Sequence, residues 1–276
     1  MENAKDFEVI QDLRQSDEYG RYMERIGWKT ISFQDSGNSF QLFVRTLGPV
    51  SIAKIQRVNM PLPDLSEILK KNRVMMCKVE PLSGQSTGFR QDNWPLLASK
   101  TLRVDLRPSE EKIMQLFSKD CRYTLRKFSS KSLQFSIKLN QFDSFYEIWK
   151  KSSKRKSLWI PSKKDYDALI QCFGEKVFSV CIDNNAGALV LMHDKCAYYY
   201  YAGATKEGNK NNLPYLVVWE AMKKAREMGC KSWDFEGIYD NRWPNKGWLG
   251  FTRFKKGFGG KEIEFAGSFV KWRLPI

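Results

Sequence analysis

One order of predicted elements, three strands followed by a helix and a strand, occurs twice in this sequence of 276 residues. The first copy runs from WKTISFQD, at residue 28, to VMMCKVEP, at residue 74. The second runs from KVFSVCID, at residue 176, to SWDFEG, at residue 232. An element order that repeats about one domain-length apart predicts two related modules that share one architecture.

The predicted fold class is therefore α/β (α+β), with two mixed β-sheets, each flanked by helices, and a cleft between them. We place the first domain at residues 1–99 and the second at residues 100–267. The last strand, 268–276, is expected to return to the first sheet. Residues 82–98 are rich in turn-forming residues, and we interpret them as a connecting loop.

The charge balance favours a polyanionic partner. The chain has 46 Lys and Arg against 31 Asp and Glu, a formal net charge of +15. Such a field attracts nucleic acid, acidic lipid surfaces or phosphorylated small molecules. A basic surface that is merely solvated is the alternative for any single run of Lys and Arg.

Cysteine and histidine usage argues against several kinds of chemistry. The six cysteines form no C-x-x-C pair and the single histidine is His193, so we expect no metal site and no Ser-His-Asp or Cys-His nucleophile. The start MENAKDFEVI does not resemble a signal peptide, and no apolar run reaches membrane-spanning length. We therefore expect reduced, buried thiols in a cytoplasmic protein without a transmembrane segment.

The stretch CAYYYYAGATKEGNKNNLPY predicts a strand, a polar loop and a helix that begins near Leu213, with Asn212 as its cap. A helix N-terminus after a strand can bind an anion. The loop has Thr205 and Lys210 where GNAT acyltransferases have the first and last residues of Q/R-x-x-G-x-G/A. It therefore predicts no intact CoA pyrophosphate site, and an ordinary β–α loop is the alternative.

Two further features of this stretch and of the region after it bear on a site. Strand alternation places Tyr199 and Tyr201 on one face and Tyr198 and Tyr200 on the other. Near the C-terminus, GWLGFTRFKKGF predicts a helix that ends at Gly257 or Gly259. Its last turn would hold Lys255 and Lys256, either as simple partners of the helix dipole or as a charge that binds a phosphate or an oxyanion.

Two basic segments add a possible contact surface for a nucleic-acid backbone. KDCRYTLRKFSSK aligns Lys119, Arg122 and Arg126 along one side of a helix, and KKSSKRK includes Lys154 and Arg155. With Tyr123 and Trp159 among them, they are typical of phosphate contacts interleaved with stacking rings. A solvated helix face is the alternative for each segment.

Several motifs, in order along nearly the whole chain, resemble the FemABX peptidoglycan-bridge aminoacyltransferases. They are RQSDEYGRYMERIGW near the start, KTLRVDLRPSEEKIMQLFSKDCRYTLRK in the middle, and YYYYAGATKEG, NLPYLVVWEAMKKAREMGCKSWDFEGI and FTRFKKGFGG towards the end. The resemblance implies two GNAT-like acyltransferase domains. No insertion between residues 130 and 175 is long enough for the coiled-coil arm of some members, so the chain resembles the minimal form.

The resemblance also implies the reaction. The family transfers an amino acid from aminoacyl-tRNA to an amine on the stem peptide of a peptidoglycan precursor, either UDP-MurNAc-pentapeptide or lipid II, to form an interpeptide bridge. Both substrates are polyanionic, which agrees with the net charge of +15. Aminoacyl-tRNA is the donor, so no cofactor is expected, and a lipid-linked acceptor implies peripheral contact with a membrane surface.

Site residues are carried over where the motifs align. Lys255, after Phe254, matches a Phe-Lys pair near the tRNA 3′ end, where the lysine stabilises the oxyanion or holds the terminal nucleotide. Arg25 matches a cation on the acceptor diphosphate, Tyr201 matches a tyrosine that contacts the acceptor, and Lys163 replaces a second diphosphate-binding arginine. The expected tRNA contacts are Arg122, Arg126, Lys154 and Arg155.

The chemistry would be aminolysis of an activated ester, which needs no protein nucleophile and depends on positioning and oxyanion stabilisation. Two other functions are compatible with the residues. The first is a GNAT-type N-acyltransferase with a different acyl donor, such as acyl-CoA or an acyl carrier. The second is a non-enzymatic RNA-binding protein that uses the basic helices.

Overall fold

The computed structural model describes residues 11–35, 38–84, 88–130 and 135–273. The helices are α1 Asp17–Arg25, α2 Ser66–Lys71, α3 Glu110–Gln115, α4 Lys119–Ser130, α5 Phe142–Arg155, α6 Lys163–Phe173, α7 Lys206–Lys210, α8 Leu213–Glu227 and α9 Leu249–Lys256. The strands are β1 Lys29–Asp35, β2 Asn38–Leu47, β3 Val50–Val58, β4 Val74–Pro81, β5 Arg90–Asp92, β6 Lys100–Asp105, β7 Ile137–Leu139, β8 Val177–Ile182, β9 Ala186–His193, β10 Cys196–Ala204, β11 Ser232–Asp234, β12 Lys261–Glu264 and β13 Ser268–Trp272.

These strands form two mixed sheets of the same design. The first sheet has the order β1-β2-β3-β4-β13-β5, and the second has the order β12-β6-β11-β10-β9-β8-β7. In each, an antiparallel run of three strands is followed by a helical crossover to a parallel strand, β3 to β4 and β10 to β11. The predicted fold class and the repeated element order are confirmed.

Strand β13 pairs with β4 and β5, so the chain returns to the first sheet after it has completed the second. Residues 1–10 and 274–276 of the predicted first domain lie outside the described residues. The boundary between residues 99 and 100 stays a prediction. Strand β5 corrects the interpretation of residues 82–98 as loop throughout, because three residues within that segment pair with β13.

Serine side chains cap the first turns of α1 and α3. Ser16 accepts a hydrogen bond from the amide of Tyr19 at the start of α1, and Ser109 does the same for Lys112 in α3. The predicted cap of α8 is wrong in its chemistry. Asn212 precedes the helix with φ of 57°, a left-handed conformation, and its side chain makes no capping hydrogen bond.

The second sheet is covered on both faces. Helix α8 packs on one face, where Val217 and Ala221 join a core that includes Phe117. Helices α5 and α6 cover the other face. That second core also takes in Tyr19 of α1 and Phe43 of β2, so it joins the two sheets.

The predicted alternation of the tyrosine run is wrong because β10 carries a β-bulge between Tyr199 and Tyr201. The extra residue shifts the register, and side chains after it point to the other face. Tyr199 packs against Trp233 in the α8 core, whereas Tyr201 stacks on Trp149 of α5, with ring centroids 4.0 Å apart. Tyr199 and Tyr201 therefore lie on opposite faces.

The two final glycines of RFKKGFGG are required by close packing. Gly259 and Gly260 have φ of 66° and 96°, and a Cβ on Gly260 would meet the carbonyl oxygen of Arg103. We expect Gly260→Ala to lower the free energy of unfolding by about 3 kcal/mol, because it adds backbone strain to a steric clash. Urea unfolding measures it.

Gly250→Ala is the matched control, because its Cβ would point into open space in α9. We expect that substitution to leave stability unchanged or slightly higher, since alanine has the better helix propensity. Equal stability of the two variants would contradict the packing argument.

Candidate active site

A cavity opens in the second sheet where β10 and β11 part. The two strands pair only over Cys196–Tyr198 and Ser232–Asp234, whereas β10 continues to Ala204. The first turn of α8 and one side of α9 close the space between them. This second-sheet cavity has a volume of about 460 Å³, and the residues that define it here are Tyr199, Asn212, Tyr215, Glu236, Phe254 and Lys255.

Lys255 lies in this cavity with its ammonium group fixed. Nζ donates hydrogen bonds to the carbonyl oxygens of Phe235, at 2.7 Å, and Gly237, at 2.6 Å. It also lies 4.8 Å from the centroid of the Phe251 ring. An ammonium has three hydrogens, so one hydrogen is left for a ligand in the cavity.

The ammonium group of Lys255 has little contact with solvent. Burial lowers its pKa to about 8, against which the nearby carboxylates of Glu236 and Asp234 favour the charged form. A lysine in this state is still a cation at neutral pH. It is a stronger electrostatic partner for a developing negative charge than an exposed lysine, because little water screens it.

Phe254 provides an aromatic wall beside Lys255. Its ring meets Tyr215 edge to face, with centroids 4.9 Å apart, and Phe258 in the same manner at 5.4 Å. Tyr215 belongs to the first turn of α8, so Phe254 joins the end of α9 to the helix start that faces the cavity. The predicted pair Phe254 and Lys255 thus reaches one cavity together.

Glu236 is a site residue that the sequence analysis missed. It follows β11 with φ of 59°, and 16% of its side chain is exposed. The two terminal guanidinium nitrogens of Arg14 donate to its carboxylate, Nη1 at 3.2 Å. Burial raises the pKa of Glu236 above its ordinary value even though Arg14 opposes the shift. An acidic residue directly after a buried strand was the available signal.

Glu236 also lines a second, smaller cavity between the two sheets. This junction cavity has a volume of about 210 Å³ and is lined by Asp12, Arg14, Arg57, Ala98, Glu236 and Trp248, among others. Arg57 is 6% exposed and donates to the carbonyl oxygen of Ala98 at 2.5 Å. The Glu236 carboxylate therefore stands in the wall between the junction cavity and the second-sheet cavity.

A larger cavity of about 940 Å³ continues along the first sheet. Leu96 and Leu97 line both this first-sheet cavity and the junction cavity. Basic and aromatic side chains mark its surface: Lys54, Arg90, Trp28, Trp94 and Trp272. Burial lowers the pKa of Lys54 to about 8. The junction cavity thus adjoins the first-sheet cavity at Leu96 and Leu97 and the second-sheet cavity at Glu236.

The loop after β10 folds as a short helix and forms no diphosphate cradle. Thr205 caps α7, where its hydroxyl accepts a hydrogen bond from the amide of Gly208 at 3.0 Å. A Cβ on Gly208 would meet the carbonyl of Asn185. The backbone of this loop is thus packed against the protein, which agrees with its departure from the CoA-binding pattern.

The three predicted acceptor-binding residues lie on or against α1, α5 and α6, and none lines the second-sheet cavity. Arg25 donates to Gln171 at 2.5 Å, and Lys163 forms ion pairs with Asp143, at 2.8 Å, and Asp167. Burial raises the pKa of Tyr201, which stacks on α5, well above its ordinary value. Their role in binding stays a prediction.

The predicted tRNA contacts divide into two kinds. Arg122 donates to the carbonyl oxygens of Gln115, at 3.1 Å, and Phe117, and Arg155 donates to that of Ala204 at 3.0 Å. Arg126 and Lys154 are exposed. Whether any of the four binds RNA stays a prediction.

One basic segment borders the second-sheet cavity, and the other lines a groove next to it. Lys156, next to Arg155, lines it. A groove of about 250 Å³ between α4 and the start of α8 is lined by Tyr123, Lys127 and Asn212, and Asn212 also lines the cavity. Positive charge and an exposed ring therefore flank the opening.

The described residues contain neither a candidate metal site nor a membrane-spanning helix. Within residues 11–35, 38–84, 88–130 and 135–273, no group of three His, Cys, Asp or Glu side chains is placed to hold a metal ion. Over the same ranges, no helix has the length and apolar character needed to span a bilayer. Each of the six cysteines is buried and carries a free thiol.

Comparison with known proteins identifies relatives. The FemAB family model matches residues 181–275, the segment that contains most of the second-sheet cavity. Aminoacyltransferase FemA of Staphylococcus aureus is 32% identical over 73 residues, which are 26% of this chain. The match spans only 17% of the length of that relative.

Solved structures show the fold. The crystal structure of FemX is similar with a TM-score of 0.78 and 14% identity, over 96% of this chain and 92% of that one. A tandem GNAT protein from the clavulanic acid biosynthesis pathway has a TM-score of 0.52 and 9% identity, over 88% of this chain and 82% of that one. The predicted resemblance to the FemABX family and the two GNAT-like units are confirmed.

Proposed function

Since residues 181–275 of the chain match the FemAB family, we propose that this protein transfers an amino acid from aminoacyl-tRNA to a stem-peptide amine of a peptidoglycan precursor. The observation that carries the proposal is the position of Lys255. Its ammonium is partly buried and held by two carbonyl oxygens in a cavity beside Phe254. That arrangement suits an ester carbonyl whose oxygen becomes negative during attack.

We place the charged tRNA end in the second-sheet cavity. Phe254 offers a ring face for the terminal base, and Lys255 retains one hydrogen for the oxyanion or the ribose. The basic segments around Lys154 and Arg126 flank the opening, where the phosphates of the acceptor stem would pass. Base stacking on rings and phosphate contacts to cations are the usual means by which proteins hold single-stranded RNA.

We place the acceptor amine on the other side of Glu236. The first-sheet cavity is basic and adjoins the junction cavity at Leu96 and Leu97, so a polyanionic precursor would lie along it with its peptide directed towards Glu236. Arg25, Tyr201 and Lys163 remain candidates for contacts with more distant parts of the precursor. In this arrangement each sheet contributes one substrate to a shared point between the cavities.

The test is a transfer assay with two acceptors. A pool of tRNA charged with radiolabelled amino acids is incubated with the protein and either UDP-MurNAc-pentapeptide or lipid II. We expect label on the acceptor, and the labelled amino acid then identifies the donor. Label on neither acceptor would contradict the proposed function.

The same assay separates the alternatives. An N-acyltransferase with a different donor would label the acceptor from an acyl-CoA or an acyl carrier instead of from tRNA. The helical loop at residues 206–210 argues against CoA, because its backbone offers no open diphosphate cradle. An RNA-binding protein without activity would retain tRNA and label nothing.

A further inference from the structure

Amide formation from an ester and an amine requires a group that removes a proton from nitrogen. Lys255 is unsuited to this because it serves as a cation with two of its hydrogens already donated. We propose that Glu236 accepts the proton of the attacking amine and delivers it to the leaving ribose oxygen, an inference that rests on the function proposed above. Glu236 would then be a catalytic residue and the meeting point of the two substrates.

The first observation is position. Glu236 lines both the second-sheet cavity, which holds Lys255, and the junction cavity, which adjoins the first-sheet cavity at Leu96 and Leu97. An amine that arrives through one cavity and an ester bound in the other would meet at this carboxylate. The Glu236 side chain is 16% exposed and lines both cavities.

The second observation is that the protein holds Glu236 in an unfavourable backbone conformation. A φ of 59° is costly for a residue with a Cβ. The amide of Glu236 donates to Asp234 at 2.8 Å. Lys255 binds the carbonyl oxygens of the residues on either side, Phe235 and Gly237. Strain of this kind concentrates at functional sites, where it aims a side chain.

The third observation is the charge around the carboxylate. The groups that interact with it are Arg14, Asp12, Asp234, Arg57, Tyr19 and Lys255. Burial raises the pKa of Glu236, and the carboxylates of Asp234 and Asp12 act in the same direction, while Arg14 opposes them. A base whose pKa is nearer to neutral pH is better suited to take and then release a proton within one turnover.

The proposed step balances as follows. The neutral amine attacks the ester carbon and a C–N bond forms, which places a positive charge on nitrogen and a negative charge on the carbonyl oxygen beside Lys255. Glu236 takes one proton from nitrogen. The C–O ester bond then breaks, its electron pair leaves on the ribose oxygen, and Glu236 returns the proton to that oxygen. The products are an amide and the free tRNA hydroxyl.

The experiment compares two acceptors with Glu236→Gln. Attack by the stem-peptide amine gives an intermediate whose basic nitrogen holds its proton, so an enzymic base must remove it. Hydroxylamine is a weakly basic nucleophile, so the nitrogen of its intermediate gives up the proton to water without an enzymic base. We expect the variant to lose about 10²–10³-fold in transfer to the stem-peptide amine. Formation of aminoacyl hydroxamate, corrected for the reaction without enzyme, should stay within a few-fold of wild type.

Glu227→Gln is the matched control, because this exposed glutamate pairs with Lys224 at the far end of α8. It should leave both reactions unchanged. Glu236→Asp retains the carboxylate and should recover part of the amine transfer, which a purely structural role would not predict. Circular dichroism and thermal melting of each variant establish that it is folded.

Three results would overturn the proposal. If Glu236→Gln retains amine transfer, the carboxylate is not the proton acceptor. If it loses amine transfer and hydroxamate formation equally, Glu236 supports the donor site and not the proton transfer. A wild-type protein that forms neither product from aminoacyl-tRNA would contradict the proposed function itself, and the role of Glu236 would fall with it.

Discussion

Replacement of Lys255 by alanine is expected to lower kcat/KM for transfer from aminoacyl-tRNA by about 10²–10³-fold, the usual loss when one fixed oxyanion partner is removed. The lysine lies in the second-sheet cavity with two hydrogen bonds that orient its third hydrogen. The substitution also removes the contacts that hold Phe235 and Gly237, the neighbours of Glu236. Single-turnover transfer of labelled amino acid measures the effect.

Lys256 provides a matched control one residue away. Its Nζ pairs with Glu262 at 2.5 Å and half of its side chain is exposed. Lys256→Ala removes the same charge from the same helix end but leaves the cavity intact, so transfer should remain near wild type. If both variants lose activity equally, a general basic surface is responsible and Lys255 has no special role.

The pH dependence of the transfer rate is an independent test of the role of Lys255. Burial lowers the pKa of Lys255 to about 8, so the ammonium is charged below that pH and neutral above it. With hydroxylamine as acceptor, the wild-type rate should fall as pH rises through about 8. Lys255→Arg stays charged throughout and should lack this fall, although its larger head group lowers the overall rate. A wild-type rate that stays flat to pH 10 would show that this charge is not used.

The fold could be predicted from the sequence because the order of strands and helices repeats, and that repeat can be recognised without knowing any contact between residues. The strands WKTISFQD and KVFSVCID, which begin the two copies, are local signals, and both segments form strands in the structure. Alternation failed in the tyrosine run because one extra residue in β10 creates a bulge. The bulge is defined by the hydrogen bonds between β10 and β9. The residue pattern of β10 alone does not predict it.

Only part of the candidate site could be predicted from the sequence. Phe254 and Lys255 form a local motif beside glycines, so they could be found. Glu236 could not be assigned, because its importance depends on where β10 and β11 part and on a partner, Arg14, that is 222 residues away in the chain. Lys163 was assigned from the sequence, but only the fold shows that its charge is balanced by Asp143 as well as by Asp167, which lies four residues along the same helix.

The second large effect concerns the strand end that supports Glu236. Asp234 is buried and accepts hydrogen bonds from Arg103 at 2.8 Å and from Thr101 at 2.5 Å. Arg103 is 4% exposed, so Asp234→Ala leaves a cation buried without its carboxylate. We expect a loss of about 3–5 kcal/mol in the free energy of unfolding, measured by guanidinium titration at pH 7.

Asp105 is the control for that substitution. It pairs with Arg107 at 2.7 Å on the surface, where an ion pair contributes about 0–1 kcal/mol. Asp105→Ala should therefore change stability little. Similar losses in both variants would contradict the importance of burial.

The pH dependence of the stability difference between wild type and Asp234→Ala tests whether that difference is electrostatic. Burial alone would raise the pKa of Asp234, but the charge of Arg103 and the hydrogen bonds from Arg103, Thr101 and the Glu236 amide together outweigh burial, and the net pKa is lowered. The stabilisation is therefore fully present above the pKa of an unfolded aspartate and is lost as pH falls through the lower native value. Wild type and Asp234→Ala should converge in stability only in strong acid. A difference that stays constant into that range would point to lost packing instead of a lost ion pair, and would leave the strand end that carries Glu236 without its electrostatic support.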